Sequence, residues 1–258
     1  MTSIESITDT FHQDGYCIVD SLFSDLNIDS LRTTALENYE EIQRIIADRG
    51  LYLGIGIKEG YDEIVQRHTG RYEVPYKMKN SFRLISEHPV LLQLVHHILG
   101  PDIVIANESL LVSVPGAQDQ AWHSDGPHMS VTEYLPCHVL NVFVPLIDIT
   151  LAEGPTEFRP GSQRLTLDLK NMFLRAFASK QLRKPVKPTL RKGSALLFDY
   201  RVLHRGTANR TDAPRPVYVV TFAKSWYKDT LNFPGRSVFA TRSGEANETI
   251  NADGILET

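Results

Sequence analysis

The residues best equipped for chemistry lie in the stretch Ala-Trp-His-Ser-Asp-Gly-Pro-His-Met at 121–129, where His123 and Asp125 stand two positions apart. On an extended backbone alternate side chains leave the same face, so this imidazole and this carboxylate point together and can grip one metal ion. A third imidazole, His204, closes the apolar run that begins at Ser194, and Arg215 follows it by eleven residues at the entrance to another apolar run. Two imidazoles and one carboxylate on one face leave three adjacent coordination positions open, the arrangement of non-haem Fe(II) oxygenases. Zinc accepts the same donors. The arginine tips the balance toward iron. Arg215 precedes Pro216, which favours an extended backbone, and the turn residues Gly206, Asn209 and Asp212 imply a hairpin that brings the guanidinium back toward the metal. There it can hold a carboxylate through two parallel hydrogen bonds, and a dicarboxylate whose other end chelates iron spans the gap. Two other classes use the same residues: a non-catalytic metal-binding jelly roll that senses or binds, and a zinc-dependent hydrolase.

These residues need a scaffold, and the order of elements predicts one. A turn at Gly15 feeds a short strand ending near Asp20. A helix capped by Ser24 or Asp25 follows, with Ile28, Leu31, Ala35, Tyr39, Ile42 and Ile46 on one face and Gly50 as its stop. A second helix runs from Glu87 to Leu99, ended by Gly100 and Pro101. After Pro101 the texture changes to short apolar runs at 103–106, 109–114, 139–146, 195–199 and 217–223, with a further strand around His123. Many short strands after helices predict an antiparallel sandwich or jelly roll with a helical flank rather than βαβ units. The reading is therefore one domain over 1–258: a helical flank over about 24–100, a jelly-roll core over about 101–225 and a polar tail over about 244–258. An apolar stretch from Leu165 to Leu182 reads as a helix inserted in the strand order. Gly54, Gly56 and Gly60 miss the dinucleotide-binding spacing by one place.

Composition excludes several classes. A formal charge of −4 and a pI near 6.1 give no basic face for nucleic acid. No apolar stretch is long enough to span a bilayer, and the opening Met-Thr-Ser-Ile-Glu-Ser is acidic where a signal peptide is basic. The two cysteines, Cys17 and Cys137, sit beside apolar residues and read as buried free thiols. The expectation is a cytoplasmic monomer or homodimer with a small-molecule substrate and neither nucleic-acid nor membrane partner.

From the opening Phe-x-x-Asp-Gly-Tyr segment to Ala223 the chain resembles the phytanoyl-CoA dioxygenase type of Fe(II)- and 2-oxoglutarate-dependent dioxygenases. The motifs that carry the likeness are Trp122-His-Ser-Asp-Gly126, Pro145-Leu-Ile-Asp148 leading to Gly154-Pro-Thr-Glu-Phe158 and Pro160-Gly-Ser162, then His204-Arg-Gly206 and Arg215. The resemblance implies a double-stranded β-helix, a cupin-like jelly roll that is mainly β with flanking helices. It implies that His123, Asp125 and His204 bind iron, that Arg215 holds the distal carboxylate of 2-oxoglutarate, and that Thr156 makes a second contact. The cofactors it implies are Fe(II), 2-oxoglutarate as cosubstrate and O₂, the products succinate and CO₂, and the outcome hydroxylation, desaturation or ring closure of a small metabolite, as in specialised metabolism. Asn141 occupies a strand position where some relatives carry a large aromatic, and a contact to cosubstrate or substrate is expected of it. Gln163 replaces a histidine common after Pro-Gly-Ser. Asp125 stands where halogenating relatives have a small residue, which argues against halogenation.

Residues 61–83 are polar and irregular in pattern, with Arg71, Tyr72, Tyr76, Lys77, Lys79 and Arg83 among few apolar positions. Residue by residue this reads as a solvated loop. As a group it reads as a lid with cationic anchors, in which Arg71, Tyr76, Lys79 and Arg83 meet a polar or carboxylated substrate.

Overall fold

The computed structural model describes residues 3–75, 83–130, 132–165, 183–228 and 234–240. It begins with a helix that the sequence pattern does not reveal. In α1 (Ile4–Asp14) the Ser3 hydroxyl accepts from Ser6 N, and Gly15, at φ 82°, closes the C-terminus by donating its N–H to Phe11 O. Strand β1 (Tyr16–Val19) follows, then α2 (Asp25–Asp48), which buries Ile28, Leu31, Ala35, Ile42 and Ile46, the stripe expected from their spacing. Leu51 N donates to Ile46 O beyond its last turn, with Gly50 at φ 60° making the reversal. After β2 (Val65–His68) and β3 (Arg71–Pro75) come a short α3 (Arg83–Ser86) and α4 (Pro89–Leu99), with proline at the first turn and Gly100 at the end.

The remaining strands are β4 (Ile103–Ser113), β5 (Val139–Pro145), β6 (Thr156–Phe158), β7 (Ala195–Asp199), β8 (His204–Gly206) and β9 (Arg215–Lys224). Seven form one sheet in the order β1-β7-β5-β9-β4-β3-β2, every pair antiparallel, and β6 pairs with β8 in a second. Isolated bridges, His123 with His204 and Phe158 with Val186, widen the smaller sheet. This is the jelly-roll architecture with a helical flank, mainly β.

The strand period of two sorts side chains between the two faces of the large sheet. Outward-facing Leu197, Val142, Tyr218, Val220 and Phe222 join the helices in one core, with Ile28, Leu91, Leu94 and Val95 among the helical members. Inward-facing Leu196, Phe198, Val217 and Val219 pack with Phe158 and Ile149 in a second. Apolar packing fills only part of the space between the sheets. The rest is a cavity of about 590 Å³.

Three expectations need correction. Residues 65–75 are not an irregular loop but two strands extending the large sheet. Their alternation is hidden because β3 turns Arg71 and Glu73 toward a polar cavity rather than a greasy core. The two apolar runs at 103–114 are one strand, bent by an irregularity between Ile105 and Asn107. Arg215 does not return by a hairpin: β8 belongs to the small sheet and β9 to the large one, so the connecting residues cross between layers. The helix expected at 165–182, beyond Leu165 itself, and the tail from 244 lie outside the described residues, as do Tyr76 and Lys79. Cys17 and Cys137 are buried and free, and burial pushes the Cys17 thiol up to about 12.

Candidate active site

His204 sits on β8, and His123 lies opposite it, carried by one bridge rather than by a strand of its own. His123 N donates to His204 O at 3.0 Å and His204 N to His123 O at 2.9 Å. Reciprocal bonding of this kind makes two residues direct cross-strand neighbours, and the ring centroids stand 4.4 Å apart. Asp125 is placed by a different element. Its amide donates to Tyr200 O at 3.0 Å, just past β7, and the next amide, of Gly126, donates to the same oxygen at 3.3 Å. Its carboxylate then lies 3.7 Å from His123 Nε2 and 3.6 Å from His204 Nε2. One donor atom from each residue falls within 4.8 Å of the others, close enough to hold one ion.

The hydrogen bonds fix the tautomers. His123 Nδ1 is 2.9 Å from Ala121 O and His204 Nδ1 is 3.0 Å from Val202 O. A carbonyl oxygen only accepts, so both Nδ1 atoms carry the proton and both Nε2 lone pairs are left for a metal. Burial lowers the pKa of His204, with the charge of Asp125 opposing, which favours the neutral ring that ligation requires. Phe158 and Phe198 press on that ring at 5.9 and 4.9 Å between centroids. Two imidazoles that turn Nε2 toward one carboxylate in an open cavity fit Fe(II).

Arg215 opens β9 and lines the same cavity. It is 6% exposed, donates from Nη2 to Ser113 Oγ at 2.8 Å and from Nη1 to Gly154 O, and its pKa is pulled to about 9 by burial and by the nearby charge of Arg71. It stays a cation at neutral pH. Thr156, on β6 opposite Gly206, is buried on the cavity wall. Asn141 also lines the cavity, and its amide is engaged with Asp125. Arg71 is buried on β3 at the cavity wall, while Arg83 opens α3 with its side chain outside the described residues. Sequence reading misses Ser113, because a serine in an apolar run carries no chemical signal. The signal lies in the register, which sets Ser113 between Arg71 and Arg215. It also misses the polar wall where Glu73 accepts from Arg67 Nε and, at 2.9 Å, from Asn107 Nδ2.

A jelly roll with two histidines and an aspartate converging in its cavity defines the class of non-haem iron oxygenases. The chain belongs to the phytanoyl-CoA dioxygenase (PhyH) family, whose model matches residues 11–217. It is thus an enzyme, an iron- and 2-oxoglutarate-dependent oxygenase. Among similar proteins, Dioxygenase af480 of Aspergillus fumigatus is 32% identical over 79 residues, covering 31% of this chain and 26% of that protein. Ectoine dioxygenase of Nocardia farcinica is 22% identical over 240 residues, covering 83% of this chain and 75% of that one. The crystal structure of the epimerase SnoN in complex with Fe3+, alpha ketoglutarate and nogalamycin RO shares the fold, with a TM-score of 0.64 at 18% identity over 95% of this chain and 92% of that one.

Proposed function

We propose that His123, Asp125 and His204 hold Fe(II), that Arg215 and Thr156 receive the distal carboxylate of 2-oxoglutarate, and that the enzyme oxidises a small polar or carboxylated metabolite. The observation that carries this is the convergence of three ligating atoms within 4.8 Å in the same cavity that Arg215 lines. When bound, iron and 2-oxoglutarate supply O₂ activation coupled to decarboxylation into succinate and CO₂, with an oxidant able to take hydrogen from an unactivated carbon. The chain's own residues orient and shield. Val202 and Ala121 carbonyls keep the histidine tautomers ligating, the Tyr200 carbonyl holds the Asp125 backbone while Asn141 holds its carboxylate, and Phe158 and Phe198 exclude water from one side of His204. Hydroxylation, desaturation and ring closure differ only in how the substrate lies in the cavity. The polar wall of Arg67, Glu73 and Asn107 supports a polar substrate. Tyr76, Lys79 and Arg83 stay in the substrate set on sequence grounds. Relatives that act on ectoine or bind nogalamycin RO support a place in specialised metabolism. We propose in addition a cytoplasmic monomer or homodimer acting on a small molecule; a net charge of −4 favours such a partner over nucleic acid, and among the described residues no helix is long and apolar enough to cross a membrane.

Anaerobic addition of Fe(II) and 2-oxoglutarate tests the reading. A weak visible charge-transfer band is expected in the wild type and its loss in Arg215→Ala. A wild type without the band overturns the iron–keto-acid assignment in favour of a binding protein or a zinc hydrolase.

A further inference from the structure

Two guanidinium groups lie buried side by side at one end of the cavity. Arg71 is 5% exposed and Arg215 6%, and both donate to one acceptor: Arg71 Nη1 to Ser113 Oγ at 2.7 Å and Arg215 Nη2 to the same atom at 2.8 Å. The ladder explains the convergence, since Ser113 on β4 is the register partner of Arg71 on one side and of Arg215 on the other. Their other bonds go to the backbone carbonyls of Gln118, Thr207 and Gly154. Among the described residues no carboxylate forms an ion pair with either, Asp119 acting on Arg71 only through its charge at longer range, and the Nε of each is buried without a partner. Burying one unpaired cation is costly, and placing a second beside it adds like-charge repulsion. A protein keeps such a pair for an anion.

Ser113 sharpens the point. A hydroxyl oxygen has two lone pairs, and here both are occupied by guanidinium donors, so its proton is directed away from them as a third donor. Space is reserved for the second cation as well. A Cβ on Gly206 would lie 2.8 Å from Arg71 Nη1 and 2.6 Å from Gln120 Oε1, so the bare backbone after His204-Arg205 lets the guanidinium in.

We infer that Arg71, Ser113 and Arg215 form one three-donor clamp for a single carboxylate, the distal carboxylate of the dicarboxylate cosubstrate. Arg71 is then a specificity-determining residue for the keto acid and not a contact of the oxidised substrate. The inference rests on the reading of Arg215 as the cosubstrate anchor. It adds that the clamp carries two positive charges, so it discriminates sharply between keto acids with and without a second carboxylate, and it also holds succinate, the product with the same distal group.

The test compares two chelating keto acids, 2-oxoglutarate and 2-oxobutyrate, the second lacking the distal carboxylate. Each is titrated anaerobically into Fe(II)-loaded protein, the charge-transfer band giving the Kd. Arg71→Gln is expected to weaken 2-oxoglutarate by at least about tenfold, the loss of one charge-assisted hydrogen bond, while 2-oxobutyrate changes by less than about twofold. Arg71→Lys, which keeps the charge without the fork, should fall between wild type and Arg71→Gln. Equal weakening of both acids overturns the inference, because Arg71 then only braces the backbone. Unchanged 2-oxoglutarate binding overturns it too, and leaves the iron reading standing. A wild type that gives no band with 2-oxoglutarate removes that reading and this one together. Should Arg71→Gln fail to fold, Ser113→Ala makes the same comparison, with the same selective loss expected and an equal loss refuting it.

Discussion

Asn141 Nδ2 donates to Asp125 Oδ2 at 2.7 Å, and Asn141 Oδ1 accepts from Thr221 Oγ1 at 2.7 Å. A carboxylate only accepts, so the amide has one possible orientation, and Thr221, its register partner on β9, holds it there. The wall residue where some relatives carry an aromatic thus reaches across to steer the carboxylate of the metal set. Hydrogen-bond partners of this kind typically tune metal affinity about 10- to 100-fold. Asn141→Leu is expected to weaken Fe(II) binding by that factor, and Thr221→Val by less, in competition with a chromophoric chelator. Affinity equal to wild type in Asn141→Leu would show that Asp125 needs no guide.

Gly126 gives the same carboxylate a steric anchor. A Cβ there would come 2.1 Å from two ring carbons of Tyr200, an overlap that has to push either the ring or the backbone beside Asp125. Gly126→Ala should cost about 1–3 kcal/mol of stability, read from urea midpoints, and should weaken Fe(II) binding in parallel. A stable variant with normal iron affinity contradicts the close packing.

Asp199 and Arg201 bracket Tyr200, whose carbonyl fixes Asp125. Their side chains are each 1% exposed and meet at 2.7 Å, and Arg201 Nη1 also donates to Leu135 O at 2.8 Å. Removing one partner strands a buried charge, so Asp199→Leu should destabilise by about 3–5 kcal/mol, and the double change with Arg201→Met should recover much of that. Chemical denaturation of the three variants checks this. Additive losses would mean that the two residues act separately.

His138 predicts acid sensitivity. It is 4% exposed between Trp226 and Tyr227, and among the described residues neither ring nitrogen has a partner. Burial first, then the charge of Arg201, lowers its pKa to about 4. Above about pH 6.5 the ring is neutral in both folded and unfolded chains and makes no pH-dependent contribution to stability. Between there and about pH 4 only the unfolded chain takes the proton, so stability falls as pH falls, by up to about 2 kcal/mol on reaching pH 5. His138→Phe should flatten the slope between pH 7 and pH 5 in thermal melts. A slope unchanged in the variant assigns the sensitivity elsewhere.

Much of the architecture is legible in the amino-acid order because burial writes it there. The stripe from Ile28 to Ile46 and the runs of β5, β7 and β9 are apolar for the reason that each faces a core. The set His123, Asp125, His204 stands out through residue type and spacing, although the pairing that opposes the two histidines does not. Illegible stretches share a cause. Helix α1 buries only Thr8 and Phe11, too few to mark a stripe, and β3 faces a polar cavity with Arg71 and Glu73, which imitates a loop. Ser113 matters through its two neighbours across the ladder, and register is a property of the fold rather than of any one position.

The reciprocal backbone pair between His123 and His204 has a bearing on how the enzyme is supplied with metal. Since main-chain pairing gathers the rings, their assembly is prepaid during folding, and loading an ion is a local event that needs no refolding. A centre so rigidly prepared does little to choose among ions of similar appetite. Nickel and cobalt bind nitrogen–oxygen sites more tightly than ferrous iron does, so a donor set of this kind does not by itself select iron over them.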